Sequence, residues 1–127
     1  MNVFVVIVTY NGLKWIDRCL NSLENSSIPL NSIVIDNCST DNTVEHIKRI
    51  YPNILLLEMD ENVGFGRANN RGIKYAIEHS ADYVFLLNQD AYIFPNTIER
   101  LLPFSDYGIV SPVHLTGNGD KLDCGFI

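Results

Sequence analysis

The sequence predicts a single α/β domain, a three-layer sandwich in which helices cover both faces of a mostly parallel sheet. Three observations lead to this prediction. Four short apolar runs alternate along the chain with segments of helical hydrophobic period. The runs lack the polar alternation of half-exposed strands, which is typical of parallel strands that are buried on both sides. With 127 residues and 46% hydrophobic content, the chain has room for one such domain.

The first strand and helix are predicted at the start of the chain. The run from Val3 to Val8 contains no polar residue, so we expect it to lie in the centre of the sheet. Apolar side chains then recur at helical spacing at positions 13, 16, 20 and 23. Asn11 is placed to cap this helix.

Further units of the same kind follow. Strands are predicted at 32–35, 54–57, 83–87 and, more weakly patterned, 108–110; helices are predicted after Asn42, from Val63 to about His79 and after Pro95. Ser39, Thr40 and Asp41 are candidate caps of the second helix. Gly72 indicates a close approach of the third helix to the sheet, because a glycine inside a helix otherwise costs about 1 kcal/mol.

Composition excludes some functions. A net charge of -6 argues against nucleic-acid binding, which needs clustered Lys and Arg. The three cysteines, Cys19, Cys38 and Cys124, form no CxxC pair and are expected to be reduced thiols. The run from Val3 to Val8 is too short for a signal peptide or a membrane span. We therefore expect a cytoplasmic protein.

Polar residues collect where the four main strands end. They are Thr9, Tyr10 and Asn11; Asp36 and Asn37; Asp60, Glu61 and Asn62; and Asn88, Gln89 and Asp90. The carboxyl ends of parallel strands share one edge of the sheet, where open α/β folds bind ligands. A purely structural alternative is that Asn and Asp cap helices and shape turns. That alternative explains Asn11 well but explains Asn88 and Asp90 less well, because the next helical pattern begins only beyond Pro95.

Asn88 and Asp90 are hard oxygen donors two positions apart. One carboxylate, a nearby oxygen and several waters suit Mg²⁺ or Mn²⁺, whose remaining positions are commonly filled by phosphate oxygens. The ligand inferred from this pattern is a metal diphosphate.

Three other phosphate-binding patterns fit less well. The chain has no GxxxxGK[ST] motif, which excludes a P-loop nucleotide hydrolase. The stretch GFGRAN at 64–69 matches the dinucleotide-binding motif GxGxxG except at its last glycine. It also follows the third predicted strand, whereas that motif normally follows the first, which argues against a dinucleotide dehydrogenase. A nucleotidyltransferase would need a glycine-rich, basic loop after the first strand, and TYNGLK at 9–14 supplies little of one.

Four motifs carry a more specific resemblance: VTYNG at 8–12, VIDNCSTDNT at 34–43, ENVGFGRANNRG at 61–72 and LLNQD at 86–90. In order and spacing they resemble family 2 glycosyltransferases, in particular the bacterial rhamnosyltransferase-like branch. The resemblance implies the GT-A fold, a Rossmann-like nucleotide-diphospho-sugar transferase fold, here C-terminally truncated. It also implies that residues 1–127 form the donor-binding part and that the acceptor-binding half is absent.

The resemblance also implies individual roles. Tyr10 would stack on the nucleobase and Asp36 would hydrogen-bond it. Asp90 would hold Mg²⁺ or Mn²⁺ on the diphosphate with Asn88, which stands where the DXD motif has its first Asp. The implied substrate-binding residues are Thr9, Tyr10, Asn11, Asp36, Asn37, Asn62, Gly64, Arg67, Asn70, Asn88 and Gln89.

The implied reaction is transfer of a sugar from a nucleotide-diphosphate sugar to an acceptor hydroxyl, with inversion, in bacterial polysaccharide or cell-surface glycan synthesis. The acceptor would be a saccharide or a lipid-linked glycan, and a lipid-linked acceptor would bring the protein to the inner face of the membrane. The catalytic base is expected beyond Ile127. A non-catalytic nucleotide- or partner-binding module is the alternative, and self-association through an uncovered apolar face is a further expectation.

Overall fold

The computed structural model describes residues 1–123, and its centre is a four-stranded parallel sheet. The strands are β1 (Val3–Thr9), β2 (Asn31–Asp36), β3 (Leu55–Glu58) and β4 (Tyr83–Asn88). Their order across the sheet is β3-β2-β1-β4, and every residue of β1 is buried. The predictions of a parallel sheet and of a central first strand are confirmed.

Helices cover both faces of the sheet, as predicted. They are α1 (Ile16–Glu24), α2 (Thr43–Ile50), α3 (Phe65–Glu78) and α4 (Thr97–Leu101), followed by a 3₁₀ turn (Leu102–Phe104). Helices α1, α2 and α4 pack on one face and α3 packs on the other. The chain therefore runs outward from β1 to β3 across the first face, and α3 carries it back across the opposite face to β4.

Alternate side chains of β1 feed the two layers of the core. Val3, Val5 and Ile7 pack against the layer of α1, whereas Phe4, Val6 and Val8 pack against α3. Helix α3 lies very close to this second face, because a Cβ atom on Gly72 would lie 2.4 Å from Val6 Cγ1. The predicted close approach at Gly72 is confirmed.

The prediction that the fourth strand is buried on both faces is wrong. β4 lies at the edge of the described sheet, and Leu86 is 50% exposed. Leu87 is buried against the layer of α1, but α3 packs mainly on β1 and β2 and leaves the other face of β4 partly open. An apolar run is equally compatible with an edge strand when one of its faces is left uncovered by a helix.

Three local predictions need correction. Residues 108–110 form no strand, and Ile109 is 94% exposed, because this segment pairs with no strand edge among the described residues. Helix α1 begins at Ile16, so Asn11 does not cap it. The N-cap of α2 is Asn42 and not Ser39, Thr40 or Asp41, although Asp41 accepts the backbone N–H of Thr43 at 2.9 Å.

Two further observations concern membrane-spanning helices and the cysteine thiols. None of the helices within residues 1–123 is long and apolar enough to cross a bilayer. Cys19 is a buried free thiol and Cys38 an exposed one. Cys124 lies outside the described residues.

Candidate functional site

A cleft opens at the carboxyl edge of the sheet, between β1 and β4. The strand order reverses direction at this point, which is where open α/β sheets bind ligands. The cleft has a volume of about 450 Å³. Its lining residues are Val8, Tyr10, Asn37, Asn62, Phe65, Asn88, Gln89 and Asp90. Six of these eight, all except Val8 and Phe65, are among the residues singled out from the sequence.

Asn88 and Asp90 form one wall of the cleft. Asn88 is the last residue of β4 and pairs with Val8 of β1. The chain turns immediately afterwards, with the Ala91 N–H donating to the Asn88 carbonyl at 3.0 Å. Both Asn88 and Asp90 are exposed to the cleft, so their side-chain oxygens are open to a ligand.

These two residues alone would make a sparse metal site. Within residues 1–123, no cluster of three or more His, Cys, Asp or Glu side chains is placed to hold a metal ion. One carboxylate and one amide oxygen nevertheless fit Mg²⁺ or Mn²⁺ when phosphate oxygens and water fill the remaining positions. The chemistry of this donor set therefore fits a metal ion that arrives with a diphosphate better than one that binds alone.

A buried thiol lies beneath this wall. The Sγ atom of Cys19, on α1, is 3.6 Å from the Asn88 carbonyl oxygen. Burial, together with the negative charge of Asp90, raises the pKa of the Cys19 thiol to about 12. Cys19 is therefore a neutral packing residue and not a nucleophile.

Tyr10 lines the same cleft as Asp90 and is 43% exposed. Its backbone is held by the side chain of Gln89. Gln89 Oε1 accepts the Tyr10 N–H at 3.0 Å, and Gln89 Nε2 donates to the Tyr10 carbonyl at 3.1 Å. Although Gln89 lines the cleft, the oxygen and the nitrogen of its side-chain amide are thus both hydrogen-bonded to Tyr10.

Asp36, which the resemblance places at the nucleobase, is not among the residues that line the cleft. The side chain is 2% exposed and accepts three hydrogen bonds, from Thr9 Oγ1 at 2.7 Å, from Ser39 N at 2.9 Å and from Ser39 Oγ at 2.6 Å. Thr9 is itself fully buried. A buried carboxylate needs such partners, and here they fix the loop that follows β2.

Asn11 also positions a loop instead of facing the cleft. Its backbone has φ 47°, a left-handed conformation that Asn tolerates better than most residues. Its side-chain oxygen accepts the backbone N–H groups of Thr40 and Asp41 at 2.8 and 3.2 Å. Asn11 thus ties the loop after β1 to the loop after β2.

The floor beside α3 is built from two asparagines. Asn37 Oδ1 accepts the Val63 N–H at 2.9 Å, and Asn37 Nδ2 donates to the Gly64 carbonyl at 3.2 Å. Asn62 Oδ1 accepts the Gly64 N–H at 2.9 Å. Gly64 has φ 88°, so a larger residue would be strained there. These bonds fix the start of α3 against the cleft.

Phe65 was missed by the sequence reasoning. It is the first residue of α3, is 58% exposed and lines the cleft that Tyr10 also lines. An exposed aromatic between two glycines was the available signal. By contrast, Arg67 and Asn70 are exposed on the first turns of α3 but are not among the lining residues.

The family model for glycosyl transferase family 2 matches residues 4–121. The poly(ribitol-phosphate) beta-N-acetylglucosaminyltransferase TarS of Staphylococcus aureus is 31% identical, over 84% of this chain and 19% of that protein. The N-acetylglucosaminyl-diphospho-decaprenol L-rhamnosyltransferase of Mycobacterium tuberculosis is 35% identical, over 77% of this chain and 35% of that protein. The chain thus spans only about a fifth to a third of these relatives.

Solved structures show the same fold. The structure of TarS 1-349 in complex with UDP-GlcNAc superposes with a TM-score of 0.72 at 30% identity, covering 84% of this chain and 31% of that one. The mannosyltransferase PcManGT of Pyrobaculum calidifontis, solved with GDP-Man and Mn²⁺, has a TM-score of 0.70 at 23% identity, covering 91% of this chain and 35% of that one. The expected α/β fold of the GT-A type is confirmed.

Proposed function

This chain belongs to glycosyl transferase family 2, and on that premise we propose that it binds the nucleotide-diphosphate sugar donor of a sugar-transfer reaction. The observation that carries the proposal is the composition of one cleft. Exposed aromatic rings, Tyr10 and Phe65, and exposed oxygen donors, Asn88 and Asp90, line the same 450 Å³. A nucleoside diphosphate needs both, because its base stacks on aromatic rings and its phosphates bind through a cation.

The polar groups with free capacity set the orientation of the donor. We assign stacking on the base to Tyr10 and Phe65, whereas Asp36 lies outside the lining of the cleft and accepts hydrogen bonds from Thr9 and Ser39. The diphosphate would then lie toward Asn88 and Asp90. Arg67 is exposed on the first turn of α3, two residues after Phe65, and it is the cation that we propose contacts a phosphate or the sugar.

Asp90 and Asn88 are the residues that would hold Mg²⁺ or Mn²⁺. The ion would offset the negative charge that develops on the departing nucleoside diphosphate. Because the protein supplies one carboxylate and one amide, we propose that the metal ion binds only together with the nucleotide. Asp90 supplies the one protein charge at this position, so it should dominate metal-dependent binding.

A complete sugar transfer also needs an acceptor and a base. We propose an inverting transfer to a hydroxyl of a saccharide or lipid-linked acceptor, in bacterial polysaccharide or cell-surface glycan synthesis. The base that deprotonates this hydroxyl is expected beyond Ile127, in an acceptor-binding half. A lipid-linked acceptor, like the decaprenol compound in one relative's name, would place the protein in the cytoplasm at the inner face of the membrane.

Titration calorimetry tests the donor site directly. The wild-type chain is titrated with UDP, GDP and dTDP, each with and without Mn²⁺, and we expect at least one diphosphate to bind more tightly when Mn²⁺ is present. Asp90→Ala should remove this metal enhancement, whereas Phe65→Ala should weaken binding in both conditions. Asp106→Ala, which removes an exposed carboxylate outside the cleft, is the control and should behave as the wild type. Equal metal enhancement in Asp90→Ala would contradict the proposal.

The alternative is a non-catalytic binding module that uses the same cleft. A module would bind the nucleotide without releasing sugar. Sustained, metal-dependent turnover of a nucleotide sugar by residues 1–127 alone would exclude this alternative.

A further inference from the structure

Gln89 extends the pairing of β1 with β4 by one residue through its side chain. The backbone ladder between the two strands ends at the pair Val8 and Asn88. Beyond that point the backbone of β4 turns away, yet the Gln89 carboxamide both accepts from and donates to the backbone of Tyr10. A primary amide presents the same acceptor and donor as a peptide group, so it can replace one in the ladder.

Gly12 makes room for this arrangement. A Cβ atom on Gly12 would lie 2.1 Å from Gln89 Oε1 and 2.9 Å from Gln89 Cδ. Any other residue at position 12 would therefore push the amide away from Tyr10. The Gly12 N–H donates to Thr43 Oγ1 at 3.1 Å, which fixes the glycine in place.

This amide links two groups of residues that line the cleft, Tyr10 on one side of the bond and Asn88 and Asp90 on the other. Gln89 separates Asn88 and Asp90 in the chain, and its side chain ends on the backbone of Tyr10. We infer that Gln89, accommodated by Gly12, is a positioning residue that fixes the place of Tyr10 relative to Asn88 and Asp90. It thereby sets the geometry for a ligand that must touch both at once, a nucleoside diphosphate with its metal ion. This inference rests on the proposed function for its ligand, and it gives Gln89 a role other than the direct substrate contact that the sequence predicts.

The first test needs no ligand. Hydrogen exchange of the Tyr10 amide is measured by NMR in the wild type, Gln89→Ala and Gly12→Ala. Both variants should exchange this amide about 5- to 100-fold faster, the range expected for losing two neutral hydrogen bonds. Gly108→Ala, at a glycine with open space around it, is the control and should leave the rate unchanged. An unchanged Tyr10 rate in Gln89→Ala would overturn the inference.

Gln89→Glu supplies a readout that general destabilisation would not produce. An ionised carboxylate cannot donate to the Tyr10 carbonyl, but a protonated carboxyl group offers the same donor and acceptor as the amide. Tyr10 protection should therefore be low at pH 7 and recover near pH 4, relative to the wild type at each pH. A loss of protection that is the same at both pH values would count against the pairing.

The second test adds UDP, GDP or dTDP with Mn²⁺. Gln89→Ala and Gly12→Ala should each lower the affinity for the diphosphate that the wild type binds by about 5- to 30-fold. The double variant should bind no more weakly than either single variant, because both substitutions remove the same contact. Additive losses, or unchanged affinity despite faster exchange at Tyr10, would overturn the positioning role. A wild type that binds none of these diphosphates would refute the proposed function, while the exchange data would still decide whether the Gln89 pairing exists.

Discussion

Replacing Gly72 by alanine tests how closely α3 packs on the sheet. The new Cβ atom would lie 2.4 Å from Val6 Cγ1 and 3.3 Å from Ile35 Cγ1. Carbon atoms in favourable contact are about 3.5–4.0 Å apart. Val6 and Ile35 are both fully buried on central strands, so neither can move aside freely. Either the helix must move outward by about 1 Å, or Val6 must leave its preferred rotamer.

The magnitude follows from two opposing terms. Overpacking a well-filled core costs about 1–3 kcal/mol. Removing a glycine from the interior of a helix returns about 1 kcal/mol. We therefore expect the free energy of unfolding of Gly72→Ala to fall by up to about 2 kcal/mol. Gly66 lies in the same helix with open space where its Cβ would be, so Gly66→Ala is a matched control that should be neutral or stabilised.

Urea unfolding followed by circular dichroism measures both variants against the wild type. The difference between Gly72→Ala and Gly66→Ala isolates the packing term, because the helix propensity gain is largely common to both. We expect this difference to be about 1–3 kcal/mol, with similar m-values. If Gly72→Ala proved as stable as Gly66→Ala, the inferred contact between α3 and Val6 would be refuted.

Three further predictions concern the thiols, an ion pair and the surface. Peptide-resolved alkylation at pH 8 should label Cys38 rapidly and leave Cys19 unmodified in the folded protein, because Cys19 is buried and its pKa is raised to about 12; equal labelling of both would contradict this. The pKa of Asp17 is lowered in the folded protein, chiefly by its hydrogen bond with His46, so its contribution to stability is complete above the unfolded pKa of about 3.9 and is lost as the pH falls through the lower folded value. The difference in Tm between the wild type and Asp17→Asn should therefore shrink below about pH 4, and a difference that stayed constant down to pH 2 would be evidence against it. The exposed apolar side chains at 107–113 predict self-association, and sedimentation at a single monomer value across micromolar concentrations would speak against it.

Much of the fold could be predicted because local pattern and global structure agree. The uninterrupted apolar run of β1 indicated a central strand, and β1 is buried along its whole length. Gly72 indicated a close helix contact, which the structure confirms. The burial of β4 was overestimated, because the same apolar pattern occurs in a strand whose second face lies open. Position within the sheet depends on which helix crosses where, and no single strand encodes that.

The location of the candidate site was predicted better than the contacts that its individual residues make. Tyr10 and Asp90 were both expected in the cleft and both line it. Asp36 and Asn11, which were expected among the ligand-binding groups, do not line the cleft and hold loops together in the structure. The sequence identifies polar residues at strand ends, but residue type alone does not distinguish a carboxylate that binds a ligand from one that holds a loop.

By itself, the sequence determined the alternation of strands and helices and the edge of the sheet where polar residues gather. Both follow from periodicity, since buried strands and amphipathic helices leave repeating patterns in the chain. Only the tertiary structure decided which polar groups face the cleft. It also showed that Phe65 lines the cleft and that the side chain of Gln89 is hydrogen-bonded to the backbone of Tyr10. The physical reason is that hydrogen bonds between residues distant in sequence depend on atoms brought together by folding, so the partner of Gln89 became apparent only once β1 and β4 lay side by side.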